Sequence, residues 1–473
     1  MDVGSSRERG RAGYYSFVEA RNRVQRSART QKPERVRMDA DAVLERSAYR
    51  KASLHILPLI ALGYGAAYID RANISFASLQ MNRDLKFSAT VYGFGAGLFF
   101  LSYAACEVPS NLLLYRFGAR RWLARIMVTW GVVAMAMVFV RSPTQFYIAR
   151  FLLGIAEAGF FPGVIFYLTQ WFPPELRARS VTRFYIAWPL SSAVMGALAG
   201  ALMGLDGRLG LSGWQWLFAV EGLPAVLLGV VFFVLLPDGP ATARWLTEPE
   251  RGAVLKRQAD TATGAHGHSG SIGAALGDVR VWLLGVWMFC MLGSGYAHSF
   301  SAPAIVQRLY GWSIGTTGFV IAAMFLLGAA AMLVNGILSD RARDPFRHVL
   351  PGCFMMSGGF LMLALSPIPS VALIGLLVII TGHMSLQGPL WTISTSFLRG
   401  RSAAAGIAAM NTIGMIGGFV GPYWMGIAKD LTGNDQRGLT IMAIPMLIAA
   451  GITLHLRRRS WRTYGIRAAS RVT

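Results

Sequence analysis

Apolar runs long enough for a helix to cross a bilayer core of ~30 Å alternate with short polar connectors along this chain of 473 residues. Six runs fall near 54–76, 91–115, 122–141, 144–168, 180–204 and 214–236. After a polar stretch over 237–280, six more fall near 281–306, 317–338, 348–366, 370–397, 403–428 and 438–456. Runs of this length read as transmembrane helices, so the pattern predicts an all-α membrane protein of twelve spans in two equal halves. The stretch 237–280 mixes Pro, Gly, Ser and charges of both signs, which predicts a linker carrying one short surface helix over 248–258. The segments RFGARR after the second run and GILSDRARD after the eighth stand at equivalent places, as a duplicated six-helix unit requires.

Composition agrees: 54% of residues are hydrophobic and 14% charged, against roughly a quarter charged in soluble domains. The formal net charge is +22, but the basic residues lie between apolar runs and at the chain ends. That placement reads as the positive-inside bias rather than as nucleic-acid binding. Arg116, Arg120 and Arg121 follow the second run, Arg177, Arg179 and Arg183 the fourth, Arg341, Arg343 and Arg347 the eighth, Arg399 and Arg401 the tenth. These connectors, and with them both termini, are expected in the cytoplasm of a cell whose inner membrane holds the protein. Residues 1–50 are rich in Arg and poor in large aliphatics and are expected to be a disordered basic tail, and 457–473 a basic cytoplasmic tail. No apolar segment that would serve as a secretory signal precedes Leu54, and Met38, after which a compact lead into the first helix begins, is a candidate translation start. Cys106, Cys290 and Cys353 sit within apolar runs without metal-ligand spacing and read as packing residues; no metal or cofactor is expected.

Charges inside the runs are costly. A side chain such as Asp or Arg at the centre of a membrane helix costs roughly 2.5–3.5 kcal/mol, so it is retained where it faces water, a partner or a ligand. Asp70 and Arg71 stand side by side in the first run, and Arg150 and Glu157 are embedded in the fourth. Spaced i, i+4 and i+7, Arg150, Gly154 and Glu157 share one helical face, and the two charged side chains are expected to lean together over the glycine. Arg suits carboxylate capture because its planar fork holds two oxygens and stays charged. Glu157 suits proton exchange, since burial and a neighbouring Arg pull its protonation in opposite directions.

Several long segments, in order along the chain, carry a resemblance: YIDRANISFA, EVPSNLLLYRFGARRWLARIMVTWG, RFLLGIAEAGFFPGVIFYLTQWFP, GILSDR and AAAGIAAMNTIGMIGGFVGPYWMGIAKDLTG. From about Ser53 to Leu456 the chain resembles the major facilitator superfamily, and within it the anion:cation symporters that carry tartrate, sugar acids, phthalate and related carboxylates. The resemblance implies two pseudo-symmetric six-helix bundles, over 51–236 and 281–456, around a central cavity opened alternately to each side. It implies a monomer that takes up a small organic anion with protons. Arg71 is then the residue that receives the carboxylate, Asp70 and Glu157 the proton-coupling acids, Arg150 the partner of Glu157, and Tyr68, Tyr103, Trp391 and Asn411 the remaining cavity residues. The seventh helix departs from the family pattern, since GSGYAHSFSAP lacks the Trp often found shortly before the Pro.

His298, His383, Tyr296 and Gln387 also fall within runs, the histidines reading as neutral buried imidazoles with one hydrogen bond rather than as groups that titrate near neutrality, and Tyr296 and Gln387 as candidates for the cavity lining. GALAGALMG and GMIGGFVGPYWMG place small residues at close helix contacts, and Pro162 and Pro422 are candidate kinks. The chain has no HExxH, GxSxG or GxxxxGK[ST], which argues against an enzyme. Within transport the other reading is a proton-coupled antiporter that exports a metabolite or drug, and outside it a non-transporting sensor on the same fold.

Overall fold

A computed structural model of the chain describes residues 42–264, 273, 276–342, 344–396 and 400–469. The expected tail over 1–41, the candidate start at Met38, Arg343, Arg399 and parts of the linker lie outside the described residues. Among the described residues, twelve helices are long and apolar enough to cross a membrane. They are α1 (Ala42–Asp84), α2 (Ala89–Phe117), α3 (Ala119–Phe139), α4 (Pro143–Thr169), α5 (Glu175–Met203), α6 (Gly213–Leu235), α7 (Val279–Tyr310), α8 (Ile314–Ala342), α9 (Pro345–Leu365), α10 (Pro369–Ser394), α11 (Ala405–Thr432) and α12 (Gln436–Arg458). An even number of crossings puts the start of α1 and the end of α12 on one face, called here the termini face.

Helix pairing repeats with an offset of six. In the first half α1 lies along α5 and α6, α3 along α6 and α2 along α4; in the second α7 lies along α11 and α12, α9 along α12 and α8 along α10. Between the halves α2 meets α11, α8 meets α5 and α1 meets α7, contacts that exchange with one another when the halves are swapped. The lipid-facing sides carry exposed Leu, Val, Ile and Phe, as a membrane span requires, whereas the polar side chains turn inward.

On the face opposite the termini the halves meet backbone to backbone. A Cβ on Gly93 would meet the Pro422 backbone, one on Gly97 that of Phe419, and one on Gly318 that of Gly196. Asp430 of α11 completes the contact by accepting from the backbone N–H of Ala89 at 3.1 Å and of Thr90 at 2.7 Å, capping the start of α2. On the termini side, longer polar side chains reach across instead: Asn411 Nδ2 donates to both Glu107 oxygens, at 3.1 and 2.9 Å, and the Tyr185 hydroxyl donates to Gln387 Oε1 at 3.0 Å.

The start of the chain differs from expectation. Residues 42–50 are helical, not part of a disordered tail, because Ala48, Tyr49 and Ala52 form a small apolar face that is buried, with Tyr49 against Phe172. The linker helix (Glu248–Gly264) docks beside them: Glu250 accepts from the Ser47 hydroxyl and the Lys51 ammonium, each at 2.7 Å. Burial alone would push the Glu250 carboxyl up, but Lys51, the Thr247 backbone N–H and the Ser47 and Thr247 hydroxyls together hold it down at about 2. A carboxyl depressed on folding contributes stability that is whole above its ordinary value near 4.5 and is lost as pH falls from there toward 2. Hydrogen exchange over residues 248–264, corrected for intrinsic rate, is therefore expected to quicken between pH 5 and pH 3 (roughly the window of that linkage). Glu250→Gln should exchange quickly at both values; a pH-independent wild-type segment would contradict this docking.

Candidate functional site

Three local breaks shape the centre of the bundle. In α4 the helix stops at Glu157: Ala158 has ψ of 133° and Gly159 adopts the left-handed region at φ of 86°. Pro162, four residues after Ala158, cannot donate to that residue's carbonyl, so the turn that would continue the helix is missing. Glycine at 159 both suits the conformation and leaves room for Ser110, which a Cβ would strike. In α10 Pro389 likewise leaves the Ser385 carbonyl free, and Asn335 Nδ2 of α8 donates to it at 2.7 Å. In α5 the helix is interrupted at Ile186, three residues before Pro189.

The halves enclose a chamber of two connected lobes, about 680 and 570 Å³, which share Tyr68, Arg71, Tyr185, Leu292, Tyr296 and Gln387 in their walls. The lobe away from the termini adds Ser75, Phe300 and His383; the one nearer the termini adds Tyr103, Trp391 and Asn411. All five residues expected to bind substrate therefore line one chamber. Arg71 is the cation common to both lobes. Its guanidinium lies 5.1 Å from the Tyr68 ring centroid and 5.4 Å from those of Phe99 and Tyr103. Three π faces within cation–π range take over part of the solvation that water would give an exposed arginine.

The acids do not line the chamber. Glu157 lies one layer behind Arg71, 1% exposed, and accepts directly from Arg71 Nη2, while its Oε2 has no partner. This corrects the expected pairing with Arg150. The space above Gly154, over which those two side chains would meet, is occupied by Ser102 and the Phe99 backbone of α2, and the first helical segment of α4 ends at Glu157. Arg150 instead donates from Nη2 to the Ala96 carbonyl at 3.2 Å and lies over the Phe99 ring at 5.1 Å. A carboxylate at the C-terminal end of a helical segment gains nothing from the helix dipole, so Arg71 supplies its compensation. Asp70, next to Arg71 in sequence, points about 100° away around the helix, into the first half. It is 2% exposed and neighbours Arg150, and Asn73 Nδ2 donates to it at 3.5 Å.

Two further acids belong to this centre and are absent from the sequence expectations. Glu107 is the partner of Asn411, so that residue is already engaged across the two halves; Glu221 of α6 is buried behind Asp70. Both stand inside apolar runs, the same signal that singled out Asp70 and Glu157. His298 makes one hydrogen bond, to the Leu376 carbonyl at 3.1 Å, and does not line the chamber; His383 does, edge-on to Trp188. Among the described residues no cluster of His, Cys, Asp and Glu suited to a metal ion is present.

Comparison with known proteins places these features. The family model described as Major Facilitator Superfamily matches residues 60–422. A relative from Agrobacterium vitis named "Putative tartrate transporter" is 44% identical over 427 residues, covering 90% of this chain and 95% of its own. One from Acinetobacter baumannii named "Quinolone resistance transporter" is 39% identical, covering 86% and 94%. Among solved structures, a bacterial homolog of the human lysosomal transporter Spinster, in an inward-facing and occupied conformation, superposes with a TM-score of 0.69 at 17% identity, over 87% of this chain and 97% of that one.

Proposed function

Since this chain belongs to the Major Facilitator Superfamily and is a multi-pass transport protein rather than an enzyme, we propose that it is a proton-coupled symporter that takes up a small organic anion such as tartrate, a sugar acid or an aromatic carboxylate. The observation that carries this reading is the buried Arg71–Glu157 pair with Arg71 facing the chamber. An entering carboxylate competes with Glu157 for the same guanidinium. When the cargo takes Arg71, Glu157 is left as a buried carboxylate without its counter-ion, a state costing several kcal/mol (roughly 3–5 when a buried pair loses one member). A proton on Glu157 removes that cost. Arg71 with Glu157 is neutral, and so is Arg71 with the cargo carboxylate beside a protonated Glu157; charge balance thus links one carboxylate to one proton.

Tyr68 and Tyr103 hold Arg71 in place, Trp391 walls the lobe nearer the termini, and Asn411 gives the cargo a hydrogen-bonding group once its contact with Glu107 opens. Asp70 and Arg150 lie a layer further in and keep the charge of the buried centre balanced. The basic connectors support a cytoplasmic termini face. The resemblance to a quinolone resistance transporter favours a second reading, antiport export, in which cargo and proton bind Arg71 and Glu157 in alternate halves of the cycle.

In liposomes carrying the purified protein, with tartrate as the probe, Glu157→Gln is expected to exchange tartrate across the membrane while losing accumulation driven by a pH gradient. Accumulation equal to wild type would defeat the coupling role. Alkalinisation of the medium on adding tartrate is the symport result, and acidification the antiport one.

A further inference from the structure

Behind Asp70 the first half holds a carboxyl that the exchange at Arg71 does not use. Glu221 of α6 is 5% exposed; no hydrogen bond of good geometry reaches either of its oxygens, but the Asn73 side chain lies within reach of them. Glu221 lies against Asn73 and Asp70 of α1. Asn73 is fully buried; its Nδ2 donates to Asp70 and its Oδ1 has no partner. Among the described residues, the elements packed around Glu221 bring no cation to it. α3 presents Trp130 and, at Gly131, a bare backbone to the neighbouring Gly222, while its Arg120, Arg121 and Arg125 stand at the termini end. The face of α5 buried beside α1 and α6 carries Ser191 and Ser192. Arg150 neighbours Asp70.

An ionised, unpaired carboxylate in such a place is far costlier than a neutral acid, and buried polar atoms are rarely left without partners. One proton neutralises that carboxyl and gives the unpartnered Asn73 Oδ1 a donor. We propose that Asp70, Asn73 and Glu221 form a shared proton-holding site: Glu221 carries the proton and donates it as a hydrogen bond to Asn73 Oδ1, while the Asn73 amide donates to an ionised Asp70.

The amide between the acids makes them exclusive. Its NH₂ serves a carboxylate and its carbonyl serves an acid, so one side is ionised and the other neutral. Rotating the amide by half a turn accompanies the reverse state, with the proton on Asp70 and Glu221 ionised against the NH₂. Two acids thus hold one proton between them, and no other bond is made or broken. The site is separate from the exchange at Arg71 and stands if that reading fails.

The test needs no cargo. Infrared spectra of the detergent-purified protein at neutral pH are expected to show the C=O stretch of a protonated, hydrogen-bonded carboxylic acid that Glu221→Gln removes, a loss of one such group per chain. Gln at 221 keeps a group able to donate to Asn73, so the fold is retained. Asn73→Leu reads the same acid from the other side: with its acceptor gone, the C=O band moves up to the frequency of an acid without a partner. A Glu221→Gln difference confined to the ionised-carboxylate bands, or a C=O band that Asn73→Leu leaves in place, would overturn the proposal. Neither outcome depends on whether Glu157→Gln loses accumulation, so the two readings fail independently.

Discussion

Arg71→Gln is expected to lower the affinity for a bound carboxylate such as tartrate by at least about 100-fold and to abolish uptake, because about 3–5 kcal/mol attaches to removing one member of a buried charge pair. The variant does two separable things. It removes the cation common to both lobes of the chamber, and it strands Glu157, whose other oxygen already lacks a partner. The second effect is repaired by neutralising the acid. Arg71→Gln with Glu157→Gln should therefore recover the thermal stability lost by the single variant but none of the binding, the non-additivity expected of residues in direct contact. Arg71→Lys separates charge from shape: a lysine keeps the cation but loses the fork that engages two oxygens, and a plane that rests on Tyr68, Phe99 and Tyr103. Binding should stay weak in it as well. Calorimetric titration of tartrate alongside melting curves distinguishes the effects, and a double variant that bound like wild type would remove Arg71 from the site.

The contrast between Arg71 and Arg150 shows what could be read from the sequence and what could not. That both charges matter was legible, because each interrupts an apolar run where a solvated surface is not available. The twelve spans were legible for the same reason, since a run of about twenty apolar residues has few other uses. Which charge pairs with which was not. The i, i+7 spacing of Arg150 and Glu157 describes an uninterrupted helix with empty space over Gly154, whereas α4 breaks at Ala158 and α2 fills that space. Partner choice is a tertiary property, set by a residue 86 positions away in the chain. Glu107 and Glu221 carry the same signal as the acids that were identified, and a uniform count of acids inside apolar runs recovers them. The helix over 42–50 shows another limit: short Ala-rich apolar faces look like disordered tail until the surface that covers them is known.

Gly318→Leu is expected to hold the chamber open on the face opposite the termini and to reduce cargo exchange to background. On that face α5 and α8 approach so closely that a Cβ on Gly318 would lie 2.9 Å from the Gly196 carbonyl carbon, and nearer still to its oxygen. The obstruction is backbone, which cannot rotate aside as a side chain would, so the two halves must separate to admit the larger residue. Closure there also depends on α2 and α11, where Asp430 caps α2, yet those contacts lie across the same junction and open with it. On the termini side the halves are joined by Glu107 with Asn411 and Tyr185 with Gln387, long side chains that adjust or part without moving backbone. The substitution therefore acts on one side of the alternation only, and a transporter unable to close one side cannot complete its cycle. Ser299 lines the lobe away from the termini, so a cysteine placed there, in a chain whose Cys106, Cys290 and Cys353 are replaced, reports access to it. A membrane-impermeant maleimide added on the side opposite the termini should label Ser299→Cys faster when Gly318→Leu is present. Gly358 of α9, where a Cβ meets nothing within 4 Å, supplies the control, and Gly358→Leu should leave both labelling and exchange unchanged. Equal labelling with and without Gly318→Leu would mean that the α5–α8 contact is a packing detail, and that the seal lies elsewhere along the junction.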